Sequence, residues 1–348
     1  MRAVTVVPLK ANSVDLTELP EPPEDDGPVL VRTRAIGVCG TDLEIIAGDY
    51  GWAPPGEERL ALGHESLGEV VEAPAASGFA PGDLVVGIVR RPDPVPCLNC
   101  GVGEWDMCRN GEYTEWGIKQ HHGYAREHYR ITPDFLVKVA PELDNLGVLL
   151  EPTTVVAKAW DHILRLGQRA KWAPKVVLVT GAGPIGLLAA LLGRQRDLEV
   201  HVLDQVSSGP KPDLVAELGA TYHHGDMTTS GLAPDIVVEC TGAGPLVFDA
   251  MDLMGPNGVL CLTGVSAKGR TLGIDAGEIN RHMVLENDVV FGSVNANRAH
   301  YEAGAEALAK ADRAWLSKLV SRRVPLDNWQ QAYERQPDDV KVVLQFSD

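Results

Sequence analysis

Short runs in which apolar and polar residues alternate fill the first 139 positions, as at residues 29–34, 67–72 and 84–89, with Pro/Gly turns between them. A period of two is what a half-buried strand produces, so this stretch predicts a mostly β domain. The pattern then changes. Residues 152–166 carry helical spacing, 175–180 a continuous apolar run, 184–196 helical spacing again, and 199–204 a second apolar run; further strands fit 235–240, 258–263 and 289–292. Strands alternating with helices imply a parallel sheet covered on both faces, the dinucleotide-binding architecture. Residues 301–320 then read as a helix, 327–335 as a short one, and 341–346 as a strand expected to rejoin the first domain. The predicted fold class is α/β, with a mostly β domain at 1–155 plus 298–348 and a doubly wound domain at 156–297.

Length supports that division, because 348 residues exceed what one hydrophobic core usually organises. The net charge of -17 comes without clustered Lys and Arg, which argues against a nucleic-acid groove or an anionic membrane surface as partner. No apolar run reaches membrane-spanning length, and the first ten residues lack a signal-peptide pattern. Of six cysteines, three fall between Cys97 and Cys108 and the others are scattered at Cys39, Cys240 and Cys261. That spacing suits metal ligands and buried thiols rather than a disulfide framework, and a cytoplasmic location is expected.

Candidate chemistry follows from two constellations. Cys39, His64, Glu65 and Glu151 supply sulfur, imidazole and carboxylates, the ligand types of a catalytic zinc that keeps one position for water or substrate. Gly181-Ala182-Gly183-Pro184-Ile185-Gly186 follows an apolar run and opens a helix, as a pyrophosphate-binding turn requires. Asp204, eighteen residues after Gly186, stands where an acidic side chain bonds the adenosine ribose. It would repel a 2′-phosphate, and neighbouring Gln205 supplies no positive charge, so NAD is expected over NADP, with Lys211 near enough to soften the preference. Zinc that eases loss of a hydroxyl proton, beside a ring that accepts hydride, points to alcohol oxidation.

Gly37-Val38-Cys39-Gly40-Thr41-Asp42, Leu62-Gly63-His64-Glu65, Gly82-Asp83, Leu150-Glu151-Pro152 and the glycine loop together resemble the zinc-dependent medium-chain dehydrogenase/reductase family over nearly the whole chain. Arg90-Arg91-Pro92, Gly111 to Glu115 and Gly292 to Asn295 are most similar to its archaeal and bacterial glucose dehydrogenase branch. The resemblance implies a GroES-like catalytic domain and a zinc held by Cys39, His64 and, variably, Glu65 and Glu151. Thr41 would relay the substrate proton, although a turn-capping hydroxyl is an alternative for it. Cys97, Cys100 and Cys108 resemble a structural-zinc lobe that normally offers four cysteines; Asp93 would complete it, or the lobe holds no metal. Glu115, Glu151, Thr41 and Asn295 are implied as substrate contacts, and Gly181, Gly183, Pro184, Ile185, Gly186, Asp204, Gln205, Thr241 and Asn295 as cofactor contacts, with Asn295 placed on the nucleotide domain.

The expected reaction is oxidation of a sugar at C1 to a lactone. A polyol or amino-alcohol dehydrogenase of the same family, giving a ketone, is the nearer rival; a non-catalytic cofactor-binding protein is the remoter one. A homodimer or homotetramer is implied. Adjacent histidines at 121–122 and 223–224 read as solvated loop residues, and Arg90 and Arg91 as ordering salt bridges rather than a phosphate site.

Overall fold

The strand Val29–Gly37 is the spine of the first unit. It pairs antiparallel with Glu65–Glu72, His128–Ile131 and Lys341–Gln345, the last of which also lies parallel to Val320–Pro325. Its alternating burial puts Val29, Val31 and Ile36 into a core shared with Val4, Leu60, Leu62, Val70, Val85 and Leu344. Each such side chain, withdrawn from water, contributes roughly 1.5–3 kcal/mol. Three aromatic residues close one end, with Trp116 stacked on Tyr124 at 4.6 Å between centroids and Tyr129 edge-on to it. The computed structural model describes residues 1–227, 231–266 and 271–347.

Two compact units emerge, one formed by Met1–Thr154 with Asn295–Asp348 and the other by Val155–Val294. The second holds one six-stranded parallel sheet. From edge to edge it runs Thr221–His224, Glu199–Asp204, Val176–Thr180, Ile236–Glu239, Val259–Leu262 and Val289–Gly292. Numbered along the chain, that order is 3-2-1-4-5-6, the doubly wound arrangement in which the connection reverses direction beside the first strand. The helix Pro184–Arg194 is buried along nearly its whole length, as an Ala/Leu-rich crossover helix should be.

Several elements differ from expectation. The 301–320 stretch is two helices, Arg298–Lys310 and Arg313–Leu319, because Asp312 starts a new helix by accepting from the Ala314 N–H at 2.7 Å. Val320 opens a strand instead of closing the helix. Gly40–Ala47 and Pro210–Glu217 form helices that the apolar periodicity did not predict. His121 is not solvated: it stacks on Trp116 at 4.1 Å, and burial with the neighbouring Arg91 and Arg126 charges pulls it down to about 3. His122 accepts from the Ala61 N–H and meets Glu57 at 2.9 Å. His223 lies on the edge strand Thr221–His224, 2.8 Å from His201. Polar neighbours in sequence hid these contacts, and those of His122 and His223 arise from residues far along the chain.

Candidate active site

Cys39 ends the loop after the spine strand and caps the helix Gly40–Ala47. Its backbone N–H donates to Asp42 Oδ2 at 2.9 Å, which locks the first turn, and Thr41 sits half-buried on that turn. His64 follows Gly63, whose φ of +87° lets the chain turn into the strand Glu65–Glu72. The register of that strand against the spine places Glu65 opposite Gly37, where any side chain would collide with the Glu65 carboxylate. The outcome is a close donor set: ligand atoms of Cys39, His64 and Glu65 all lie within 4.8 Å of one another.

The surroundings of the set order it further. His64 Nδ1 faces Asp42 Oδ1 at 3.4 Å, which leaves Nε2 for the donor set. Burial pulls the imidazole down, but Asp42 and the Cys39 sulfur outweigh it and hold His64 well above its ordinary value. Imidazolium is favoured there because the pocket supplies negative charge that asks for a cation, and a metal ion answers the same demand. Lys341 Nζ bridges both Glu65 oxygens at 2.6 and 2.7 Å and donates to the Val38 carbonyl at 3.1 Å. Glu151 opens the helix Leu150–Gly167 and stands outside the close set of three. Its carboxyl is pushed up to about 7, chiefly by burial, with His64 pulling the other way and Glu65 adding to the rise. Soft, borderline and hard donors around one point, each with a partner behind it, fit a catalytic zinc.

Cys97, Cys100 and Cys108 also bring their sulfurs within 4.8 Å of one another. Asp93, expected as a fourth ligand, is not brought into that set. Its Oδ1 accepts from the Val95 N–H at 2.8 Å and its Oδ2 from Asn110 Nδ2 at 2.7 Å, so both oxygens serve the loop that carries the thiols.

In the second unit the three loop glycines have separate physical reasons. Gly181 has φ +87°, Gly183 caps the helix Pro184–Arg194 with open space where a Cβ would project, and a side chain at Gly186 would strike the Gly181 carbonyl. The open space at Gly183, beside a helix N-terminus, is what a pyrophosphate needs. Pro184 and Ile185 form the first turn, half-buried. Asp204 Oδ2 accepts from the Ala182 N–H at 2.6 Å and meets Lys211 Nζ at 3.3 Å, while Oδ1 accepts from the Gln205 N–H at 2.6 Å. Burial raises the Asp204 carboxyl, but these donors outweigh it and leave it below the usual range. Thr241 is exposed at the end of the strand Ile236–Glu239. Glu239, fully buried and missed by the sequence reading, accepts from both the Thr241 and Gly242 N–H groups at 2.7 and 3.0 Å.

Asn295 falls in the first unit, not on the nucleotide domain. Its Nδ2 donates to Glu115 Oε1 at 2.8 Å, and two residues later Asn297 donates to Asp106 at 2.9 Å. Those bonds, with Tyr301 Oη accepting from the Val89 N–H at 3.2 Å, hold the segment to its own unit. Glu115 and Asn295 are thus brought together. Arg90 joins them, with two nitrogens on Glu115 as the expected salt bridge; Arg91 instead donates to the Ile88 carbonyl at 2.6 Å and packs on the Phe135 ring.

A GroES-like unit carrying a Cys/His/Glu centre, in one chain with a doubly wound dinucleotide unit, is the build of a zinc-dependent medium-chain dehydrogenase. Residues 25–141 match the alcohol dehydrogenase GroES-like domain and residues 144–346 the glucose dehydrogenase C-terminus. Glucose 1-dehydrogenases of Methanocella arvoryzae and Caldivirga maquilingensis are 39% and 40% identical to this chain, with 99% or more of each chain covered. A solved Haloferax mediterranei glucose dehydrogenase in complex with NADP, zinc and gluconolactone is 32% identical, covers 100% of both chains and superposes with a TM-score of 0.91. The chain belongs to the glucose dehydrogenase family of the medium-chain dehydrogenases.

Proposed function

We propose that this chain oxidises an aldose, glucose foremost, at C1 to the lactone while hydride passes to a nicotinamide cofactor. The observation that carries the reading is the Cys39–His64–Glu65 set, closed to within 4.8 Å in a chain whose other unit holds an open glycine turn at Gly183. Zinc, when bound, supplies the Lewis acidity that eases loss of the hydroxyl proton, and the nicotinamide ring supplies the hydride acceptor.

The chain's own residues do the rest. Cys39, His64 and Glu65 hold the metal, Asp42 orients the imidazole, and Lys341 fixes the direction of the Glu65 carboxylate. Glu151, at the start of the helix Leu150–Gly167, is a further ligand that exchanges with water. Thr41 receives the substrate proton and passes it outward. Glu115 and Asn295 bond sugar hydroxyls, which a simple alcohol lacks, and a site built for hydroxyls rejects ligands without them. Gly181, Gly183, Pro184, Ile185 and Gly186 seat the pyrophosphate, with Gln205, Thr241 and Asn295 along the rest of the cofactor. Asp204, held ionised, takes the ribose hydroxyls and sets NAD ahead of NADP, with Lys211 tempering the preference. A second zinc sits on Cys97, Cys100 and Cys108. The active form is a cytoplasmic homodimer or homotetramer.

Steady-state rates on a panel of aldoses and polyols test this, using protein of measured zinc content and both cofactors. Acid released from a hydrolysing lactone, with kcat/KM about tenfold higher with NAD than with NADP, is expected. Ketone from a polyol as the sole product would replace the aldose reading, and an unchanged cofactor ratio in Asp204→Ala would remove Asp204 from it.

A further inference from the structure

Glu115 is held in an unusual way for a residue expected to bind a ligand. Its Oε1 accepts from Arg90 Nε at 3.0 Å, Arg90 Nη2 at 2.9 Å and Asn295 Nδ2 at 2.8 Å. Three donors crowd one oxygen and exhaust its lone pairs. No donor among the described residues meets Oε2, and that atom is not sealed from solvent. Arg90 cannot swing away to share itself. Its Nη1 donates to the Asp106 carbonyl at 3.1 Å, its guanidinium lies 3.7 Å from the centroid of the Tyr113 ring, and both Arg90 and Glu115 are only 5% exposed.

We propose that Arg90 is the positioning residue of the sugar subsite: by saturating Glu115 Oε1 it presents Oε2 alone, in one orientation, as the acceptor for a substrate hydroxyl. The inference rests on the reading of Glu115 as a sugar contact. It adds a specificity. An acceptor-only oxygen demands a hydroxyl donor at that point of the substrate and penalises a deoxy analogue, which leaves the acceptor unpaired. It also disfavours a phosphate or carboxylate at that point, because the negative Oε2 faces it while Arg90 has no free nitrogen pair to offer. A lysine at 90 keeps the charge but not the planar fork that sets two parallel bonds.

The test uses the full-length, zinc-loaded chain with NAD, glucose and each of its 2- and 3-deoxy analogues. Wild type is expected to favour glucose over one of them by about 100-fold or more in kcat/KM. Arg90→Lys should cut that ratio by about tenfold through KM, with kcat within about threefold, and Glu115→Ala should erase it. Because the ratio compares two sugars on the same protein, a merely structural role for Arg90 does not move it. If Glu115→Ala leaves the ratio intact, the sugar-contact reading is wrong. If Glu115→Ala erases it while Arg90→Lys, at wild-type zinc content and Tm, keeps it, the positioning role alone is overturned. Should Arg90→Lys lose zinc or melt early, Tyr113→Leu removes the ring that packs on the Arg90 guanidinium instead. A fall of about threefold in the ratio then supports the saturated-oxygen arrangement, and an unchanged ratio overturns it.

Discussion

The two sulfur-bearing centres of the first unit are built in opposite ways. Cys97, Cys100 and Cys108 come from one short segment whose flanks stand open, with Val95 77% and Leu98 75% exposed. Their geometry is set locally, by turns at Cys100–Val102 and Trp105–Met107. The Arg109 N–H donates to Cys97 and brings that thiol down to about 6, while burial pushes Cys100 up to about 11. The Cys39–His64–Glu65 centre joins a half-buried helix cap to the buried His64 and Glu65 and is braced from a distance, since Lys341 reaches Glu65 across 276 residues of chain. A site made only of thiols needs little more than spacing. A site of mixed donors, with one position left for a ligand, needs groups behind it to aim each donor, as Asp42 does for His64 and Lys341 for Glu65.

Deleting a ligand from each centre is the strongest way to break this contrast. Cys39→Ala should lower kcat on glucose by about three orders of magnitude, or roughly 4 kcal/mol of barrier, with loss of one zinc per chain by metal analysis. Turnover that survives would place the chemistry elsewhere. On the reading of its lobe as a structural zinc site, Cys97→Ser should instead leave kcat within about twofold and lower Tm by about 5 °C. Alongside it, Asp93→Ala should retain the zinc of that lobe, since both Asp93 oxygens are committed to Val95 and Asn110. Zinc lost from this variant would show the carboxylate to be a ligand after all.

The smallest effect sharpens the contrast through His121, a histidine outside both donor sets. His64 faces a carboxylate and is held well above its ordinary value, whereas His121 lies among arginines and is brought down to about 3. Between pH 6.5 and 3 the unfolded chain takes up a proton at His121 that the folded chain refuses. Its share of stability is therefore complete above pH 6.5 and declines as pH falls, by at most about 1.4 kcal/mol per pH unit. His121→Phe preserves a ring against Trp116 and should flatten that part of the decline in denaturant titrations between pH 7.5 and 5. An unaltered slope would mean that other groups carry it.

What could be read from the chain alone follows the same division between local and remote. The glycine turn and the Cys97–Cys100 pair declare themselves because their geometry depends on neighbours a few residues away, and the strands of the nucleotide unit because each is a short apolar run between helical stretches. Asp42 was half legible: it ends the Gly37-Val38-Cys39-Gly40-Thr41-Asp42 motif, three residues from the position it caps. Lys341 and Glu239 carried no signal, since a buried charge looks like a surface one until its partner is placed, whereas Arg90 was legible as an ordering salt bridge but its partner Glu115 was not. Asn295 was assigned to the wrong unit because the last strand of the sheet ends at Gly292 and only side-chain bonds to Glu115 and Asp106 show where the chain has crossed. The helix Pro210–Glu217 was hidden by its own prolines at 210 and 212, which the first turn of a helix tolerates.

Lys341 sits on a strand made after the entire nucleotide unit, yet its ammonium neutralises a carboxylate from the opening third of the chain. During synthesis Cys39, His64 and Glu65 leave the ribosome long before Lys341 does, so the Glu65 carboxylate stays without its ammonium partner while the intervening unit emerges and folds. The final orientation of that carboxylate is consequently a late event, fixed only once the strand Lys341–Gln345 has paired with Val29–Gly37.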